Sequence, residues 1–378
     1  MREVTAAQIA DIARGAAILG TGGGGDPYVG RLLAEHAIAR SGPVRLVTVS
    51  EVPADAVVVP VAMMGAPTVM IEKLPSGAEI GSALAALGEV LGREPTHISC
   101  IEAGGVNSMI PFAAAAHTGL PLVDADGMGR AFPELQMVLP TLVGVAASPM
   151  AVADEKGNTA VLRTVGNHWA ERLARSATVD MGCSAMTAQY VLRGDQLADA
   201  LVPGTLSRAE RLGAVVAAAR AAHTDPVAAA TAELGGRLLF RGKVADVSRR
   251  TTAGFARGTA VLDGAGPGGT DAARLELEFQ NEHLVARVDG TIVASVPDLI
   301  CVLETDTGEP VTTEGLRYGF RVTVVGVPCD PRWRTPAGLE LTGPRYFGYD
   351  HEYRPVEEPP VDEPPAKAPR ETAAWAGS

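Results

Sequence analysis

Aromatic residues are scarce in this 378-residue chain, at 4%, although hydrophobic residues together reach 47%. A core is available, but it must be built mostly from Ala, Val and Leu. Cysteine is scarcer still: Cys100, Cys183, Cys301 and Cys329 have neither metal-type spacing nor the pattern of a disulfide framework. That scatter leads us to expect a reduced, cytoplasmic protein. The 7 histidines include no His-x-x-x-His pair, and Pro95 between Glu94 and His97 speaks against one helical face. A conventional zinc site has little support. Positive charge is also in deficit. The net charge of −12 argues against nucleic acid and anionic membrane as partners, because both reward clustered Lys and Arg. No apolar run reaches membrane-spanning length, and residues 1–10 show no signal-peptide pattern.

Glycine, by contrast, is concentrated where it stands out. The run Ala17-Ile18-Leu19-Gly20-Thr21-Gly22-Gly23-Gly24-Gly25-Asp26-Pro27 empties a short apolar segment into four consecutive glycines. Such a run weakens any helix or strand and lets a ligand approach the main chain closely. Asp26 stands at a helix N-cap position with Pro27 as the first helical residue, which predicts a helix over residues 28–39. Backbone N–H groups in this turn, with a helix dipole behind them, favour an anion or a polar heteroatom. No lysine follows at once, and no Gly-x-x-x-x-Gly-Lys-Ser/Thr pattern exists, so a nucleotide phosphate is the weaker candidate ligand.

Further along, strands are expected over 44–49, 56–62, 97–101 and 122–123, with helices over 79–91 and 111–117 between them. The alternation predicts an α/β N-terminal domain with a mainly parallel sheet, whose strand-end loops share one rim. Helices continue over 166–175, 196–201 and 206–222, followed by strands over 237–247, 255–262, 274–280, 283–288, 291–296 and 319–327. This second part reads as a β-rich α+β C-terminal domain with an antiparallel sheet. We therefore divide the chain into residues 1–165, residues 166–357, and a loosely held Pro/Glu-rich tail over 358–378.

Several residues could carry chemistry. Asp124 and Asp126 alternate across one residue, so on an extended segment they face the same way and could divide acid and base roles or bind a cation. An EF-hand loop is excluded, because Met128 and Leu135 stand where oxygen ligands belong. Glu102 lies close to Gly104 and Asn107, a base beside an amide suited to orienting a polar heterocycle. Cys183, in Gly-Cys-Ser, is read as lying near a helix start, where a thiolate nucleophile is stabilised. His168, beside Trp169, is a candidate proton shuttle.

Taken together, the loops resemble the S-methyl thiohydantoin desulfurase family of hydantoin-utilisation-associated proteins. The residues that carry the resemblance are the glycine run, Met64-Gly65-Ala66-Pro67, Glu72-Lys73, Gly104-Gly105-Val106-Asn107-Ser108 and the segment from Asp124 to Glu134. It continues through residues 310–319 and Gly343-Pro344-Arg345-Tyr346-Phe347-Gly348-Tyr349, and covers the chain from about Thr5 to Glu357. The resemblance implies an N-terminal α/β domain, a β-rich C-terminal domain, and hydrolytic replacement of a C2 sulfur substituent on a hydantoin-like ring. On that expectation Thr21, Gly22, Gly23, Gly24, Gly25, Asp26, Gly65 and Asn107 contact the ring. Lys73 or Arg130 would hold a propionate-like substituent, and His168 would assist. The base is one of Asp124, Asp126 and Glu102, and Cys183 is the alternative nucleophile. The residues require no cofactor, while a carboxylate cluster leaves a divalent metal such as zinc open. A homo-oligomer is expected. The competing assignments are a nucleotide-dependent hydantoinase-like enzyme and a non-catalytic subunit of a hydantoin-utilisation complex.

Overall fold

The computed structural model describes residues 1–65, 69, 77–252, 255–264 and 273–359. In chain order the strands of the first sheet are β1 (Arg2–Val4), β2 (Val44–Val47), β3 (Val57–Gly65), β4 (His97–Cys100), β5 (Leu122–Asp126), β6 (Met150–Ala153), β7 (Thr159–Leu162), β8 (Ser184–Ala188), β9 (Leu192–Arg193) and β10 (Val202–Pro203). Its main path runs β1-β2-β5-β4-β3-β8-β6-β7. The β2-β5-β4-β3 pairs are parallel, and every other pair is antiparallel. The expected α/β architecture is present, and its sheet is mixed: a parallel core flanked by antiparallel strands. β3 is buried from Val57 to Met64, so both faces of that strand are covered. Strands β8 to β10 reach this sheet from beyond residue 165.

Helices of nine or more residues are α1 (Ala6–Leu19), α2 (Tyr28–Ser41), α3 (Ala78–Leu91), α4 (Ile110–Thr118), α5 (Asn167–Asp180), α6 (Thr205–Ala221) and α7 (Pro226–Leu234). Helices α1 and α6 cross so closely that a Cβ added to Gly15 would overlap the Ala209 carbonyl. One added to Gly213 would overlap the Asp11 carbonyl. Glycine therefore sets the distance of this crossing. Among the described residues no helix is long and apolar enough to cross a membrane.

The second sheet contains β11 (Arg237–Thr252), β12 (Phe255–Gly264), β13 (Arg274–Gln280), β14 (Glu282–Val288), β15 (Thr291–Ser295), β16 (Leu299–Glu304) and β17 (Arg321–Val327), in the order β15-β14-β13-β12-β11-β17-β16. All its pairs are antiparallel. Strand β16 has no counterpart in the sequence analysis, because Leu299 to Leu303 are all buried and show no alternation. The two halves meet at the end of α1: Cys301 Sγ on β16 lies 3.3 Å from the Ile18 carbonyl, and the His283 N–H on β14 donates to the Thr21 carbonyl at 2.8 Å.

Gly15→Ala tests the helix crossing. Alanine gains about 1 kcal/mol of helix propensity over glycine, but overpacking costs about 1–3 kcal/mol. Because the overlap is with rigid backbone, the second effect wins, and the melting temperature is expected to fall. A rise would contradict the packing described here.

Candidate functional site

The glycine run leaves the end of α1 as a loop in left-handed conformations, with φ of +52° at Thr21, +88° at Gly22, +71° at Gly24 and +74° at Gly25. Thr21 holds this conformation because it is pinned from two sides: Arg130 Nη2 donates to its hydroxyl at 3.0 Å and His283 N–H to its carbonyl. The Thr313 N–H and hydroxyl both donate to the Gly22 carbonyl, at 2.8 and 3.1 Å. The Val106 N–H donates to the Gly24 carbonyl at 2.9 Å, which brings in the loop after β4. The loop after β5 joins through Asp126, whose Oδ2 accepts from the Ala103 N–H at 2.8 Å. Three glycine-bearing connections therefore meet at one place, as expected from the sequence.

What lies in the glycine loop is a carboxyl group of the protein itself. Glu282 opens β14 after a tight turn in which Asn281 has φ +57°. Its carboxyl presses so closely on Gly23 that a Cβ there would overlap it. Its Oε2 has no hydrogen-bond partner. Burial pushes its pKa up to about 8, against the pull of the Arg130 charge. Glu102, in the loop after β4, is likewise pushed up to about 8 by burial, with the charges of Glu282 and Asp126 adding to the rise. Asn107 orients it, donating from Nδ2 to Glu102 Oε1 at 2.7 Å while its Oδ1 accepts from the Met63 N–H at 2.7 Å. Burial, more than the neighbouring charges, is therefore what raises both acids.

Arg130 supplies the opposing charge. It is fully buried and donates only to neutral oxygens: Ala131 O at 3.0 Å, Pro297 O at 2.7 Å, Asp298 O at 2.8 Å and Thr21 Oγ1. Its guanidinium lies 4.5 Å over the Phe132 ring, which meets Trp333 edge-on at 5.1 Å. One of the few aromatic side chains is thus placed against this cation, with a second packed on it. Burial lowers its pKa to about 10, so it remains charged near neutrality. His283 is pushed down to about 4 by burial and is neutral there. Its Nδ1 lies 3.1 Å from the Ile300 carbonyl, which can only accept, so Nδ1 carries the proton and the unpartnered Nε2 presents a lone pair.

The comparisons with known proteins agree with this architecture. Residues 7–164 match a family model described as S-Me-THD-like, N-terminal domain, and residues 165–356 match S-Me-THD-like, C-terminal domain. The chain belongs to the S-Me-THD-like family. A crystal structure of a protein from Chromobacterium violaceum is similar to it, with a TM-score of 0.77 and 26% identity over 94% of this chain and 100% of the other. No curated protein matches it significantly. Membership ties the chain to thiohydantoin-related proteins.

Within this family member the sequence-derived candidates separate. Thr21, Gly22, Gly23, Gly24, Gly25, Glu102, Asn107, Asp126 and Arg130 come together, but several roles change. The loop is not an open anion nest, since Gly23 N–H donates to the Gly20 carbonyl at 2.9 Å and the Glu282 carboxyl lies against Gly23. Asp126 is a staple: it accepts from the N–H groups of Ala103, Met128 and Gly129, while burial raises its pKa to about 6. Asp124 caps the first turn of α6, accepting from the Ser207 N–H at 3.0 Å and its hydroxyl at 2.6 Å. Arg130 lies under the loop rather than as an open clamp for a substituent.

Cys183 is exposed, and its N–H donates to Thr178 O and Val179 O. It therefore follows the carbonyl end of α5, not a helix start, because Gly182 and Cys183 (φ +97° and +65°) terminate the helix there. His168 is exposed on the first turn of α5. Asp26 is also exposed and accepts from the Tyr28 N–H at 2.9 Å. It lines a separate cleft of about 510 Å³ to which neither Glu102, Glu282 nor Arg130 contributes. Gly65 ends β3 against the Cys183 carbonyl, and Lys73 lies outside the described residues. No cluster of three or more His, Cys, Asp or Glu able to hold a metal occurs among the described residues. Glu282 and His283 were missed by the sequence analysis, because Gln280-Asn281-Glu282-His283 resembles any polar hairpin turn.

The buried acids set a pH dependence. A carboxyl whose pKa rises on folding holds more protons in the native state between its ordinary 4.5 and about 8. Stability therefore falls as pH rises through that window and levels off above it. The melting temperature is expected to decline across this range, and Glu282→Gln should flatten the decline. An equally steep decline in Glu282→Gln would contradict the burial of this acid.

Proposed function

We propose that this chain is a hydrolase that replaces the C2 sulfur substituent of an S-methyl thiohydantoin-type ring with oxygen. Water oxygen bonds to C2 and the C2–S bond breaks. One water proton goes to the leaving sulfur and the other remains on the ring, giving a hydantoin and a thiol. Such a step needs an acid and a base near neutral pH, and carboxyls with raised pKa values can supply both. Two buried carboxyls at the glycine loop, Glu282 pressed on Gly23 and Glu102 held by Asn107, are the observation that carries this proposal. When one of the two is ionised, it takes a proton from water and the neutral member protonates the sulfur.

Arg130 opposes the negative charge that develops as the ring is attacked, in surroundings where water does not screen it. A covalent route through Cys183 receives less support, since that thiol is exposed beyond the end of α5. Phosphate binding in the glycine loop is also disfavoured, because Glu282 would set a carboxyl against the incoming anion.

Thiol release from an S-methyl thiohydantoin, followed with a thiol-reactive dye, tests this. Glu102→Gln and Glu282→Gln are each expected to lose about 10²–10⁴-fold in kcat, with Cys183→Ala close to the unmodified protein. Gly23→Ala, which displaces Glu282, should behave like Glu282→Gln. Full turnover by both Gln variants would refute the carboxyl mechanism, and a dead Cys183→Ala would restore the covalent one.

A further inference from the structure

Helix α5 packs on the first sheet through a buried stripe of Ala170, Ala174 and Thr178. Its opposite side carries large apolar side chains in solvent: Trp169 is 49% exposed, Leu173 43% and Val179 57%, with Val165 just before the helix at 95%. Scattered single apolar residues on a surface need no explanation, but a run of them along one helix face marks an interaction surface.

The positions on this face are arranged symmetrically about Ser176. Leu173 and Val179 lie three residues to either side, Arg172 and Asp180 four. This is the spacing at which a helix presents a seam to a neighbouring helix. Arg172 lies 5.0 Å over the Trp169 ring, and neither Arg172 nor Asp180 has an ion-pair partner among the described residues.

We infer that α5 is a self-complementary surface on which a second copy of this chain docks antiparallel, with the twofold axis at Ser176. In that arrangement Leu173 of each copy meets Val179 of the other, and Arg172 meets Asp180 twice. The small serine lets the helices approach at the axis. Each Arg172 also lies against the carbonyl end of its mate's helix, where positive charge is favoured. Trp169 then covers the turn at residues 181–183. Charge complementarity selects a second copy over an unrelated partner, because an isologous contact requires each surface to match itself. A pair of helices of this length buries an area at the low end of specific interfaces, below about 1,200 Å² in total. The dimer should therefore dissociate on dilution.

Sedimentation over a dilution series is the first test, on the full chain. A monomer–dimer equilibrium is expected, and Arg172→Asp should weaken it at least about tenfold by placing like charges opposite each other. The double variant Arg172→Asp/Asp180→Arg should restore it. Ser176→Cys, made with Cys183→Ala to remove the exposed thiol, should give a disulfide-linked dimer under mild oxidation, while Arg40→Cys on α2 should not. A monomer at every concentration, a dimer unaffected by Arg172→Asp, or no cross-link through Ser176→Cys would each overturn the proposal.

Discussion

A carboxyl group pressed against bare main chain joins the two halves of this molecule. Glu282 reaches from the second sheet into the loop at the end of α1, where only glycine leaves room for it at position 23. Burying that acid raises the free energy of its ionised form, so its position has to be maintained by its surroundings. Thr313 and His283 tie the loop to the second sheet, and Arg130 ties it to the segment after β5 and to the Pro297 and Asp298 carbonyls. The domain interface and the candidate site are one structure.

The electrostatics follow from that placement. Glu102 and Glu282 are too buried to ionise together easily, and Arg130 is too buried to be neutralised by solvent. Four neutral acceptors take four of its five N–H groups without cancelling its charge. A buried cation held this way favours negative charge nearby, while the buried acids resist carrying two negative charges at once. With pKa values raised to about 8, both acids hold protons near neutrality, and either can accept one once it has ionised. That suits chemistry in which a proton leaves water and another arrives at a departing sulfur.

The sequence disclosed those parts of the site that are local in the chain. Four successive glycines announce a loop with unusual backbone angles, and Glu102 beside Asn107 announces a base and an amide, although Asn107 holds Glu102 and the Met63 backbone instead of being free to meet a ring. Parity along β5 placed Asp124 and Asp126 correctly on one face, but it could not show that α6 and the loop N–H groups already occupy them. Glu282 was hidden for the opposite reason. A glutamate beside Asn281 in a hairpin turn is ordinarily solvated, and what buries it is a loop more than 250 residues earlier in the chain, between Gly22 and Gly24. The orientation of Cys183 failed similarly: Gly-Cys-Ser fits either end of a helix, and only the direction of α5 decides which.

Infrared spectroscopy of the carboxyl C=O stretch tests the central claim most directly, because it sees protonated acids regardless of substrate. A protonated-carboxyl band should persist at neutral pH, titrate away near 8, and be diminished in both Glu102→Gln and Glu282→Gln. If every carboxyl in the protein is ionised by about pH 6, near the ordinary range for exposed acids, the buried protonated acids described here do not exist.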